Sequence, residues 1–298
     1  MKTSEKSVAT ASLEIAFEET GGDCEIPIVL LHGFPYDVRQ YDAVRDQLAK
    51  DNQKIIVPYL RGFGPTRYRT RELIRSGQQA ALGKDVIDLL DALAVEQAIL
   101  VGYDWGGRAA CVAAALWPER VFGLVSIGGY TIQNIASSIC TPESPEQERR
   151  FWYQWYFQAE RGKAGLALNR DEFCRILWTT WSPSWKFAED EFARTAESFH
   201  NADFVETVIH SYRHRYGNAT GDPSLEALER RLAAQPAIEA PTIVLHGADD
   251  KVDLPSTSEA HESHFASGYE RRVLQNVGHC APAEAPLEVS SAIESLLR

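Results

Sequence analysis

Apolar and polar positions change their spacing twice along this chain of 298 residues. In the first half, short apolar runs alternate with longer stretches of helical spacing. Leu13-Glu14-Ile15-Ala16-Phe17 alternates apolar and polar, as a half-buried strand does. Ile26 to Leu31 and Lys54 to Leu60 are short apolar runs, suited to strands covered on both faces. Gln78 to Leu93 places Ala81, Val86, Leu89, Leu90 and Leu93 at helical spacing. Ala98-Ile99-Leu100-Val101 predicts a strand ending at Tyr103. An alanine-rich helical run, Ala109 to Leu116, and a further strand, Leu124-Val125-Ser126-Ile127, follow. Strand and helix alternating in this way predict a mostly parallel sheet with helices on both faces.

Near residue 136 the texture changes. Thr141-Pro142-Glu143-Ser144-Pro145-Glu146 reads as a linker. Beyond it, as far as about Leu232, the pattern is helical and aromatic, with Trp152, Trp155, Trp178, Trp181 and Trp185, five of the seven tryptophans. Strand texture returns after Gln235-Pro236 with Thr242-Ile243-Val244-Leu245 and Arg272-Val273-Leu274, and a helix over Pro286 to Leu297 closes the pattern. The simplest organisation is one α/β core, residues 1–135 and 236–298, interrupted by a helical cap, residues 136–235. There is no internal repeat and no low-complexity tract.

A hydrophobic content of 44% is enough for a full core. The net charge of −12 argues against nucleic acid and anionic membranes as partners. Cys24, Cys111, Cys140, Cys174 and Cys280 are odd in number, scattered and without a C-x-x-C pair, which fits reduced thiols in a cytosolic protein. The residues from Met1 to Lys6 lead into no continuous apolar region, so no signal peptide is expected. No stretch approaches a membrane span. A soluble, cytoplasmic protein with a small-molecule substrate is expected, a homodimer being left open.

The chemistry concentrates at Gly102-Tyr103-Asp104-Trp105-Gly106. The spacing is that of the G-x-S-x-G nucleophile elbow, between a strand and a helix, with aspartate in the serine slot. A carboxylate on such a turn can attack carbon and form an ester, which moves the expected substrate from carbonyl compounds toward epoxides or alkyl halides. A base is available in Asn276-Val277-Gly278-His279, after the last strand. Its orienting acid comes from Gly247-Ala248-Asp249-Asp250; Asp250 is favoured because Asp249 is nearer the strand end, and Asp249 stays the alternative. The order nucleophile, acid, histidine is that of the α/β-hydrolases. In that fold the oxyanion donors come from the loop after the Ile26–Leu31 strand and from the residue after the nucleophile, here the backbone N–H groups of Phe34 and Trp105. His32 reads as structural, and the glycines of Arg61-Gly62-Phe63-Gly64 as turn residues. No metal or cofactor pattern is present.

The residues His32-Gly33-Phe34-Pro35, Tyr103-Asp104-Trp105-Gly106-Gly107, Asp250 and Val277-Gly278-His279 resemble the α/β-hydrolase epoxide hydrolases and their dehalogenase relatives over nearly the whole chain. Phe151-Trp152-Tyr153-Gln154-Trp155-Tyr156 is similar to the cap segment whose tyrosine protonates the opening epoxide, and Ser211-Tyr212-Arg213 to the setting of a second tyrosine. The resemblance thus implies Tyr153 and Tyr212 as acids, with Tyr156 and Tyr216 as rivals. A phenol is a competent donor to an alkoxide. The family's Pro-Gly after these tyrosines is replaced by Ala159-Glu160-Arg161-Gly162. In fluoroacetate-type dehalogenases an arginine at the position of Arg108 binds the substrate carboxylate. Their other two features would fall at Trp105 and Gln154 and are missing, so Arg108 is expected in a structural salt bridge.

The resemblance implies epoxide hydrolysis to a vicinal diol through an Asp104 ester, cleaved by water that His279 activates with Asp250 behind it. A haloacid or haloalkane dehalogenase using the same Asp104 is the runner-up, and a non-catalytic small-molecule binder of this fold a lesser alternative. Substrate contacts are expected from Phe34, Trp105, Arg108, Trp155 and Tyr156. The cap aromatics suggest an apolar or aromatic pocket, or else simply pack the cap.

Overall fold

The computed structural model describes residues 3–22, 24–49 and 53–298; Met1 and Lys2 lie outside them. Among the described residues nine strands form one sheet: β1 (Ser4–Ala9), β2 (Leu13–Thr20), β3 (Ile28–Leu31), β4 (Ile55–Pro58), β5 (Arg67–Tyr68), β6 (Ala98–Tyr103), β7 (Val121–Ile127), β8 (Thr242–Gly247) and β9 (Tyr269–Leu274). The order is β1-β2-β4-β3-β6-β7-β8-β9, with β5 on β2. From β4 to β9 neighbouring strands run parallel, while β1, β2 and β5 pair antiparallel. Every residue of β3, β4, β6 and β8 is buried, which is why they read as continuous apolar runs.

The helices flanking the first half are α1 (Asp42–Leu48), α2 (Gln79–Ala92) and α3 (Asp104–Leu116). Helix α3 buries ten of its thirteen residues, because its alanines let it lie close to the sheet and to α2. A Cβ on Gly83 of α2 would stand 2.2 Å from Val112 of α3. Between β7 and β8 the structure is helical throughout: α4 (Ile135–Ser138), α5 (Pro145–Arg150), α6 (Trp152–Tyr156), α7 (Glu160–Leu168), α8 (Arg170–Trp181), α9 (Glu189–Phe199), α10 (Phe204–Arg215) and α11 (Glu226–Ala233). Helices α12 (Ala281–Glu284) and α13 (Pro286–Leu296) follow β9, and α13 packs on α1 and β7. No described helix is long and apolar enough to cross a membrane.

The chain leaves β3 toward β4 on one side, and from β4 it returns to β6 on the other side of β3. The loops at the carboxyl ends of β3 and β6 therefore diverge, and such a switch point opens a crevice where open α/β sheets bind ligands. Phe34 follows β3, Asp104 follows β6, Asp250 follows β8 and His279 follows β9, so parallel strands bring all four to one edge.

Candidate active site

Asp104 is built on a tight turn. Its φ of 50° is left-handed, a conformation costing a non-glycine residue about 1–2 kcal/mol. The turn survives because its flanks carry no side chains. A Cβ on Gly102 would come within 2.3 Å of the Gly106 carbonyl oxygen, and one on Gly106 within 2.0 Å of that of Leu31. One oxygen of Asp104, Oδ1, accepts from the Phe34 N–H at 2.8 Å and from the Trp105 N–H at 2.6 Å. The latter lies at the N-terminus of α3, where the helix dipole favours negative charge. The other oxygen, Oδ2, faces His279 Nε2 at 3.5 Å.

His279 Nδ1 lies 2.8 Å from Asp250 Oδ2. A carboxylate only accepts, so Nδ1 carries the proton and Nε2 is turned to Asp104. Asp250 Oδ1 is held by the N–H groups of Val252 at 2.9 Å and Asp253 at 3.0 Å. Asp249 sits at the surface beside Lys251. Burial disfavours a charged His279, but the Asp250 and Asp104 carboxylates outweigh it and hold its pKa well above the ordinary value. Burial likewise raises Asp104, yet the hydrogen bond and charge of His279 outweigh it and leave its pKa below the carboxylate norm. His32 is neutral: burial lowers its pKa to about 4, and it links two loops by accepting from the Leu60 N–H and bonding the Gly33 carbonyl.

A family model described as the alpha/beta hydrolase fold matches residues 26–286. The chain belongs to the α/β hydrolase fold family. Within that family it is similar to proteins named for epoxide hydrolysis. "Epoxide hydrolase 4" of Mus musculus is 32% identical over 279 residues, covering 91% of this chain and 72% of that protein. "Epoxide hydrolase B" of Mycobacterium tuberculosis is 33% identical over 150 residues; that alignment covers 45% of this chain and only 40% of that protein. A crystal structure of a Klebsiella pneumoniae protein assigned to the epoxide hydrolases superposes with a TM-score of 0.95 at 39% identity, covering 98% of this chain and 96% of the other.

Asp104 and His279 open into a cavity of about 490 Å³ between the sheet edge and the helical segment, and Tyr153 lines it. The Tyr153 hydroxyl accepts from Gln154 Nε2 at 2.9 Å. The Tyr212 ring packs on Tyr153 at 5.3 Å, on Phe34 at 5.6 Å and on Trp105 at 6.0 Å between centroids. The Tyr212 hydroxyl and the Trp105 Nε1 are buried; the hydroxyl interacts with Trp105 and Tyr153, but neither group reaches hydrogen-bond geometry with any of the described residues. Burial first, then the Asp104 charge, raises the Tyr212 pKa against Arg215, while burial and the neighbouring Tyr212 raise that of Tyr153, so both phenols keep their protons.

The structure corrects three expectations. Of the expected substrate contacts only Arg108 lines the cavity: Phe34, Trp105, Trp155 and Tyr156 do not, and of the rival tyrosines Tyr216 lines it whereas Tyr212 does not. Trp155 is 41% exposed, with its indole N–H on Glu148, and Tyr156 packs on Phe173 and Gly165. The cavity is not apolar, because the aromatics are consumed in packing beneath it: Phe34 alone contacts Trp105, Phe157, Trp181, Phe204 and Tyr212. Arg108 makes no salt bridge among the described residues. It lines the cavity and donates to Gln133 Oε1 at 3.1 Å, and burial with the charge of Arg215 lowers its pKa to about 10. Arg215 and Asp253 also line the cavity and were missed in the sequence. Arg215 lies one turn after Tyr212 and stacks over its ring at 4.7 Å, so i, i+3 spacing was the available signal.

Proposed function

We propose that this chain is an epoxide hydrolase acting through an Asp104 ester, with the segment 136–235 as a cap over a core of residues 1–135 and 236–298. The observation that carries the reading is the division of labour between the two oxygens of Asp104: Oδ1 is held by two backbone N–H groups and Oδ2 faces the base.

In the first half-reaction Oδ2 attacks an epoxide carbon and the C–O bond of the ring breaks. The departing oxygen takes a proton from Tyr153 or Tyr212. The Asp104 carbonyl of the resulting ester is then Oδ1, already seated on the Phe34 and Trp105 N–H groups. In the second, His279 takes a proton from water, and the oxygen attacks Cγ of Asp104. The two amides stabilise the oxyanion, while Asp250 holds the imidazolium. The tetrahedral centre collapses, the diol leaves with a proton from His279, and the proton left on Asp104 returns to the tyrosinate, which restores both the carboxylate and the phenol. The small-molecule substrate needs no cofactor for these steps.

The second reading, a haloacid dehalogenase on the same nucleophile, is favoured by Arg108 and Arg215, two cations facing the cavity. Mass spectrometry of intact His279→Gln protein separates the readings. Incubated with epoxides, it should gain the whole substrate mass. Gain of a haloacid less hydrogen halide, with no epoxide adduct, moves the assignment to dehalogenase. No adduct beyond the Asp104→Asn blank from either panel removes the ester mechanism and leaves a binding protein of this fold.

A further inference from the structure

The loop carrying His279 is held by side chains rather than by the sheet. Three successive backbone N–H groups have side-chain acceptors: Gly278 donates to Glu284 Oε2 at 2.7 Å, His279 to Ser182 Oγ at 2.8 Å, and Cys280 to Glu284 Oε1 at 3.0 Å. The Ser182 hydroxyl in turn donates to Glu284 Oε1 at 2.6 Å, which fixes the rotor so that its lone pair meets the His279 N–H. Ser182 is 1% exposed. A Cβ on Gly278 would lie 2.5 Å from its Oγ, so the approach requires glycine there.

Ser182 does not belong to the sheet. It closes α8, and the residue before it ties the same helix end to the other catalytic loop: the Lys251 N–H, next to Asp250, donates to the Trp181 carbonyl at 3.1 Å. The Trp181 ring stands edge-on to the His279 imidazole at 5.1 Å. The two loops are also joined directly, Asp249 N–H to the Val277 carbonyl at 2.8 Å. The Trp181–Ser182 turn thus meets the acid loop and the base loop at once. None of these bonds reaches Asp104, Phe34 or Tyr212.

We propose that Ser182, backed by Glu284, is a positioning residue for the hydrolytic half-reaction, so that the helical segment sets the register of the base as well as covering the site. The proposal rests on the ester mechanism above. Because only ester hydrolysis uses His279 as a base, a loosened His279 should slow that step and spare alkylation. A displacement of about 1 Å can cost about 100-fold in rate.

The experiment is single-turnover kinetics of Ser182→Ala and Glu284→Gln with an epoxide that forms the ester in His279→Gln, the ester being followed by intact mass. The expected result is hydrolysis slowed about 10- to 100-fold, alkylation within about 2-fold, and accumulated ester. The acid limb of hydrolysis should shift to lower pH as His279 moves from the Asp250 carboxylate. Equal slowing of both steps, or unchanged hydrolysis in folded protein, overturns the proposal. Should Ser182→Ala not fold, Glu284→Gln, which keeps the side chain's size, decides alone. If His279→Gln traps ester and the folded variants do not accumulate it, only the positioning role fails; if His279→Gln traps none, the ester mechanism itself fails.

Discussion

His279 Nε2 and Asp104 Oδ2 stand 3.5 Å apart, and each holds the other in its charged form. The pairing favours a protonated His279 beside an ionised Asp104, and on the proposed mechanism His279 acts as base only once neutral. On the proposed mechanism, formation of the ester would neutralise Asp104 and remove one of the charges that favour that proton, and so release the base for the second half-reaction.

A pH split follows from the signs. Hydrolysis needs neutral His279, whose pKa is raised, and should fall as pH drops through that ionisation. Alkylation needs anionic Asp104, whose pKa is lowered, and should persist to more acid conditions. Rapid-quench measurement across pH should show ester accumulating at the acid end. Parallel decline of both steps would contradict the assignment.

Tyr153 and Tyr212 should differ in stability and agree in chemistry. Each change to phenylalanine should lower alkylation by about 100- to 10,000-fold, the usual worth of a positioned acid. Tyr212→Phe removes a buried hydroxyl whose interactions with Trp105 and Tyr153 fall short of hydrogen-bond geometry, and should lower the melting temperature less than Tyr153→Phe does. Tyr153→Phe strips the acceptor from Gln154 and should cost about 1 kcal/mol. Tyr216→Phe should change alkylation little, since that hydroxyl is engaged with Gln154 Oε1. An alkylation defect in Tyr216→Phe larger than in Tyr212→Phe would exchange their roles.

Asp250→Asn should slow hydrolysis by a factor on the order of 100 to 10,000, as loss of the orienting carboxylate disfavours the tautomer with a free Nε2. The trapped ester should be visible by intact mass. An Asp249→Asn variant should behave as wild type, because Asp249 lies at the surface.

Arg108 makes opposite predictions for folding and for ligand. Its pKa is depressed to about 10, so its charge weakens the fold below that pH and the penalty fades above it. Arg108→Gln should therefore match or exceed wild-type stability near neutral pH in denaturant melts. The same change should raise KM for carboxylate-bearing epoxides or haloacids relative to their neutral esters. Equal KM changes for charged and neutral substrates would show that Arg108 does not read charge.

Gly106→Ala tests the turn itself. Its Cβ would meet the Leu31 carbonyl, which is backbone and cannot swing aside, so a loss of about 1–3 kcal/mol or more is expected by calorimetry. A melting temperature within error of wild type would mean that the turn relaxes freely.

Much of the core was legible from local pattern. Strands β3, β4 and β6 are covered on both faces, so their burial is written as uninterrupted apolar runs. The strand–turn–helix around Asp104 was readable because its glycines are demanded by contacts with near neighbours in chain and sheet. Strand β1, exposed along most of its length, the two-residue β5 and the short α1 carry too little periodic signal and were not anticipated.

The sequence by itself determined the candidate reactive groups and their order, because an acidic side chain on a turn between strand and helix is a local property and parallel strands deliver their end loops to one edge. Tertiary structure decided what surrounds them. Helical periodicity says that a face is buried but not against what, so it could not tell that the aromatics pack under the cavity while Arg108, Arg215 and Asp253 face it. Nor could it pair Ser182 with Glu284, 102 positions away, since a hydrogen bond between the end of α8 and the end of α12 leaves no mark on the spacing of either.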